Sequence, residues 1–284
     1  MTVDAHLHVW DPEALRYPWL DEEPALNRPF LPGDVGSDTV REVVFVQAAA
    51  HDGLAEARWV QSLDWPQLCG IVAFAPVETR ELDVVLAALE QLPAFVGVRR
   101  LLQDEDDAFI GSTALRRGLT VLAERGIPFD ACIRHPQLPA LVDTVRAVPE
   151  LTVVLDHLGK PPVAAGRRSA DGMAWRAALA ELAELPNTVV KVSGLASEVD
   201  PTRPLRDQIV PFVADALELF GPERIMVGSD FPVSGATAHH LGYDEWFQVA
   251  ADLLELSPHE HDQVFSLTAR RIFQPRAVGV GGPT

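Results

Sequence analysis

The chain has 284 residues, 48% of them hydrophobic and 23% charged, with a formal net charge of −18. Phosphate recognition rests on clustered Lys and Arg, so this acidic balance argues against a nucleic-acid partner. No stretch approaches the ~20 apolar residues that span a bilayer, and MTVDAHLHVW carries neither the basic nor the apolar region of a signal peptide, so a cytoplasmic enzyme without a membrane anchor is expected.

Eight short apolar runs of strand character follow in order: Thr2–Val9, Glu42–Ala48, Cys69–Pro76, Phe95–Leu101, Pro128–Ile133, Thr152–His157, Thr188–Ser193 and Arg224–Asp230. Their near-continuous hydrophobicity suits parallel strands covered on both faces. Helical spacing lies between them. Leu82–Leu92 places Leu82, Val85, Leu86 and Leu89 on one side, and Ala174–Leu185 does the same with Trp175, Leu179 and Leu182. A helix over Thr113–Arg125 ends at Gly126, and Pro136 and Pro149 bracket another. Strand starts about 20–40 residues apart are the repeat of βα units. An open doubly wound sheet would carry a Gly-rich phosphate turn after its first strand, and none is present. The reading is a single-domain α/β chain, a (β/α)8 TIM barrel over residues 1–275 with a tail at 276–284.

The stretch from Trp10 to Arg41 carries Pro12, Pro18, Pro24, Pro29 and Pro32, and its Trp10, Tyr17 and Trp19 point to an ordered flap. Cys69 and Cys132 sit inside apolar runs and read as small buried hydrophobes. Lysine occurs only at 160 and 191.

Catalytic groups of such barrels project from the C-terminal ends of strands. The first run holds His6 and His8, two apart and therefore on one strand face, about 7 Å from each other along the chain. Two such imidazoles can converge on one metal ion or substrate oxygen. As structural residues they would need buried partners. His157 ends the sixth run and Asp230 the eighth; Asp230 suits a general base or a metal ligand, and equally a helix cap. The combination is far more specific than its parts.

With DAHLHVWDP at 4–12, YPWL at 17–20, VFVQA at 44–48, GVRRLLQ at 97–103, VLDHLGKP at 154–161, VKVSGL at 190–195 and GSDFPV at 228–233, the chain resembles the amidohydrolase superfamily. The likeness is greatest to its lactonase branch, which holds fuconolactonase- and rhamnonolactonase-like sugar lactonases and pyrone-dicarboxylate lactonases. It implies water activated near Asp230, with His6, His8 and His157 around a substrate carbonyl. Where metal-rich relatives carry a bridging Lys or Glu on strand four and a His on strand five, this chain has Gly97-Val98-Arg99-Arg100 and Phe129-Asp130-Ala131-Cys132. A two-metal centre is therefore not expected. The resemblance implies at most one divalent ion, zinc or manganese, on His6, His8, His157 and Asp230, and leaves metal-independent hydrolysis open.

Arg99 is the expected fork for a carboxylate or hydroxyls of a sugar acid, with Arg100 facing the other way. Lys191 is read as a buried ion pair or a substrate contact, Gln47 and Trp19 as further substrate contacts, and Lys160 as a rim residue. The expected reaction opens a lactone of a sugar acid or a related carboxylated cyclic ester. The competing reading is a metal-dependent decarboxylase using the same strand ends. A homo-oligomer is left open.

Overall fold

The computed structural model describes residues 1–274. The apolar runs form β1 (Thr2–Leu7), β2 (Val40–Val46), β3 (Leu68–Phe74), β4 (Phe95–Leu101), β5 (Phe129–Cys132), β6 (Val153–Leu155), β7 (Thr188–Val192) and β8 (Ile225–Val227). They lie side by side in chain order with every neighbouring pair parallel. The ends of the sheet meet where His8 N donates to Phe231 O at 2.7 Å and Asp230 N donates to His6 O at 2.8 Å. The expected (β/α)8 barrel is the architecture. Its closing seam runs through the histidine pair of β1 and the residues just after β8.

Helices α1 (Gly53–Ser62), α2 (Leu82–Leu89), α3 (Asp107–Ile110), α4 (Thr113–Glu124), α5 (Leu138–Arg146), α6 (Ala170–Ala183), α7 (Leu205–Phe220) and α8 (Tyr243–Leu254) run between and after the strands. The expected apolar stripe of α2 is buried at Leu82, Leu86 and Leu89, while Val84 on the opposite side is exposed. α6 begins four residues before the start read from the sequence, because the Ser169 hydroxyl accepts from Gly172 N and caps it there. Asp52 and Ser112 cap α1 and α4 in the same way.

No α-helix separates β1 from β2. That segment is the ordered flap the aromatics foretold: Trp10 and Phe30 exchange two backbone hydrogen bonds of 2.8–2.9 Å. Trp10, Tyr17, Leu20, Leu26 and Phe30 bury one another in a small core of their own with Ala48. The expected tail at 276–284 lies outside the described residues. Among the described residues no helix is long and apolar enough to cross a membrane.

Strand alternation divides the barrel interior into levels. On β7 the inward residues are Val189, Lys191 and then Ser193; on β6 Val154 is followed by Asp156. The lowest level is apolar, with Val44, Val46, Val72, Val154, Val189 and Met226 packed from below by Ala269 and Phe273. Lys191, Asp130, Asp156 and His6 form a charged level above it, none of them exposed. The candidate site lies on top of that level.

Candidate active site

Several strand ends stop short of the runs read from the sequence, because the chain leaves the sheet to aim side chains inward. His157 has φ 53°, Leu158 φ 52°, Gly159 φ 71° and Lys160 φ 49°, a complete left-handed turn directly after β6. Asp230 (φ 55°) and Ala49 (φ 59°) are left-handed too. Each non-glycine residue in this region costs roughly 1–2 kcal/mol, and such strain concentrates where geometry serves function. Trp175 Nε1 braces the turn by donating to Leu158 O at 2.8 Å.

These turns bring the four strand-end residues together. His6 Nε2 lies 3.2 Å from His8 Nε2. Asp230 Oδ1 lies 3.8, 3.5 and 3.9 Å from the Nε2 atoms of His6, His8 and His157. The His6 and His8 rings meet edge to face with centroids 4.9 Å apart, and the His6 and His157 rings, tilted by 58°, lie 4.5 Å apart. Local chemistry requires small backbone here. A Cβ on Gly228 would stand 2.5 Å from His6 Cβ, and one on Gly194, itself at φ 65°, 2.5 Å from His157 Nδ1.

The outer nitrogen of each ring is tied down. His8 Nδ1 donates to Val46 O at 2.6 Å, since a carbonyl only accepts, leaving the Nε2 lone pair of the neutral ring facing the centre. His157 Nδ1 pairs with Ser193 Oγ at 2.9 Å. His6 Nδ1 lies 3.2 Å from both Asp156 Oδ1 and Lys191 Nζ. Burial pushes His157 down to about 4 and lowers His8 and His6 as well, so the imidazoles stay neutral at neutral pH. Burial alone would raise Asp230, but the facing imidazoles of His157, His8 and His6 hold it below the usual carboxylate range.

Inward-facing imidazole nitrogens and one carboxylate oxygen, each ring fixed through its far nitrogen, are the donor set and supporting shell of a borderline divalent cation. His6, His157 and Asp230 offer ligand atoms within one ion's reach of each other, and His8 faces the same point. The residues present fit one ion.

Asp4, unremarked in the sequence, fastens the seam. It accepts from His6 N (3.0 Å), Ser229 N (2.9 Å), Ser229 Oγ (2.6 Å) and Tyr243 Oη (2.8 Å). Asp156, also missed, links His6 to Lys191 and Arg99, the latter at 3.4 Å. Lys191 is fully buried between Asp130 and Asp156, with Phe273 beneath it. Of the two readings for Lys191 the structure displays the buried ion pair: its ammonium lies between two carboxylates and off the cavity lining. Gln47 is likewise buried and off the cavity wall; its side chain accepts from Ala49 N at 2.6 Å. Arg99 reaches the cavity, but its guanidinium also binds Gln47 O and Asp156. Arg100 turns outward to Glu78 and Glu105, as alternation requires.

Above the imidazoles opens a cavity of about 350 Å³. His8, His157, Asp230 and Arg99 line it, with His6 just beneath the lining. Trp10 and Trp19 form an aromatic side; Trp19 Nε1 donates to Ala48 O at 2.7 Å, so the ring both walls the cavity and pins the flap. Glu56 on α1 accepts from Ala48 N at 3.0 Å and holds the same wall from behind. Gln103, Lys160 and Glu198 complete the rim. His51, His239, His240, His259 and His261 stand away from the cavity, while His135 pairs with Lys160 O at 3.1 Å.

The sequence profile of the amidohydrolase family matches residues 3–274. An L-fucono-1,5-lactonase of Burkholderia ambifaria is 31% identical over 252 residues, covering 86% of this chain and 84% of its own. An L-fucono-1,5-lactonase of Burkholderia multivorans is 32% identical over 292 residues, covering 96% of each chain. A crystal structure of a Burkholderia multivorans amidohydrolase with bound zinc is 29% identical, covers 97% of this chain and all of its own, and superposes with a TM-score of 0.85.

Proposed function

Since the chain belongs to the amidohydrolase family, we propose that it hydrolyses the lactone of a sugar acid to the open hydroxy acid. The observation that carries this reading is the meeting of Asp230 Oδ1 with three neutral imidazoles, at 3.5–3.9 Å, beneath a cavity of about 350 Å³ that has room for a sugar ring. The lactonase relatives support the substrate class.

In this reading the lactone carbonyl lies over His8 and His157. Asp230, ionised throughout the neutral range, takes a proton as water adds to the carbonyl carbon. Ser234 Oγ donates to its other oxygen at 3.1 Å and keeps the accepting oxygen aimed at the centre. His157 steadies the developing oxyanion. The ring C–O bond then breaks, the leaving oxygen takes the proton from Asp230, and the new carboxylic acid loses its proton to water. A zinc or manganese ion on His6, His8, His157 and Asp230 would supply Lewis-acid polarisation of the carbonyl. Arg99 and Trp19 hold the ring.

An indicator assay with a panel of aldonolactones tests this, because each ring opened releases one proton. Enzyme-dependent acidification, abolished by chelation and restored by zinc or manganese, is expected. Carbon dioxide release from an aromatic acid, with no acidification from any lactone, would instead favour the decarboxylase chemistry of the same superfamily.

A further inference from the structure

Lys160 is placed over the cavity by the left-handed turn after β6. Such a helix brings round every third or so residue to the same side, so His157 and Lys160 share the face that lines the cavity. The turn closes on itself through Lys160 N to His157 O at 2.9 Å. Only one of its four residues is glycine, so most of its strain falls on side-chain-bearing residues. A lysine serving merely as a rim charge would not need that backbone.

Its ammonium donates to Gln103 Oε1, and its charge faces the half-buried carboxylate of Glu198. Lys160, Gln103 and Glu198 thus set donors beside acceptors at one end of the cavity, with the Trp10 and Trp19 walls nearby. We propose that these three residues form the subsite that reads the ring hydroxyls of a neutral, polyhydroxylated lactone. A hydroxyl gives and accepts at once, so a vicinal pair satisfies an ammonium, an amide and a carboxylate together. A substrate carboxylate at this end would instead meet the carboxylates of Glu198 and Asp104, which line the same cavity. The hydroxyls are gripped by these three residues, and the aromatic walls take the apolar face of the ring.

This inference rests on the lactonase reading, and its test separates the two. Lys160→Met, Lys160→Arg and Glu198→Gln are compared with the wild type on a polyhydroxylated six-membered aldonolactone and on unsubstituted δ-valerolactone. Binding of the matching polyhydroxylated lactam, which is not hydrolysed, is followed by calorimetry. Lys160→Met and Glu198→Gln are expected to raise KM for the hydroxylated ring at least tenfold, with kcat changing less than threefold. Preference for that ring over δ-valerolactone and affinity for the lactam fall in parallel, and Lys160→Arg regains part of both. Equal losses on the two lactones, or preference and lactam affinity unchanged in both Lys160→Met and Glu198→Gln, overturn the subsite. Lactam binding that depends on Lys160, in a wild type that opens no lactone, refutes the lactonase reading and leaves the subsite standing. A wild type that neither binds the lactam nor opens a lactone overturns both.

Discussion

Replacing Glu56 by Gln tests how the cavity wall is held. Glu56 is fully buried in the first turn of α1, and its Oε1 accepts from Ala48 N while its other oxygen stands beside the buried Tyr17 hydroxyl. Burial pushes its carboxyl up to about 7, from 4.5 in the unfolded chain. Each tenfold change in proton affinity is worth about 1.4 kcal/mol, so ionising Glu56 costs the fold about 3 kcal/mol. Below pH 4.5 both states carry the proton and no penalty exists. Between 4.5 and about 7 the unfolded chain releases it first, and stability falls as pH rises; above that the loss is complete. Gln cannot ionise and keeps the acceptor for Ala48 N. The difference in melting temperature between Glu56→Gln and wild type should therefore be small at pH 4.5. It should open in the variant's favour to roughly 6–12 °C at pH 8, at about 2–4 °C per kcal/mol for a chain of this size. Circular dichroism melts at pH 4.5, 6 and 8 measure it. A difference that stays constant with pH refutes the reasoning.

Asp230→Asn preserves shape but removes the base, so kcat should fall at least a hundredfold in a variant that still folds; turnover within threefold of wild type would take Asp230 out of that role. Gly194→Ala places a methyl against His157 Nδ1 and in a left-handed position, costing about 1–2 kcal/mol. Steady-state kinetics should show at least a tenfold loss of kcat, and an unaltered kcat would mean that the orientation of the His157 ring is immaterial.

The barrel was legible because a strand covered on both faces must be apolar throughout, and β4 matched its run to the residue. His6, His8, His157 and Asp230 were legible through their place at strand ends. Asp4 was not, though it sits two residues before His6, because its partners Ser229 and Tyr243 come from the far end of the chain. The left-handed turn that carries Lys160 to the rim was hidden for a different reason. HLGK contains one glycine, and nothing in its composition announces that the residues either side of it also turn left-handed. Lys191 shows the opposite case: its need for a carboxylate was evident, but the spacing could not reveal that Asp130 and Asp156 would supply two.

The seam between β1 and the segment after β8 has a consequence for biosynthesis. Residues 6 and 8 leave the ribosome more than 200 residues before residue 230, and the backbone bonds joining the two segments close the barrel. Until that late segment arrives, the early histidines lack the Asp230 carboxylate that faces their Nε2 atoms. The four strand-end side chains thus come together only when the last strand docks against the first.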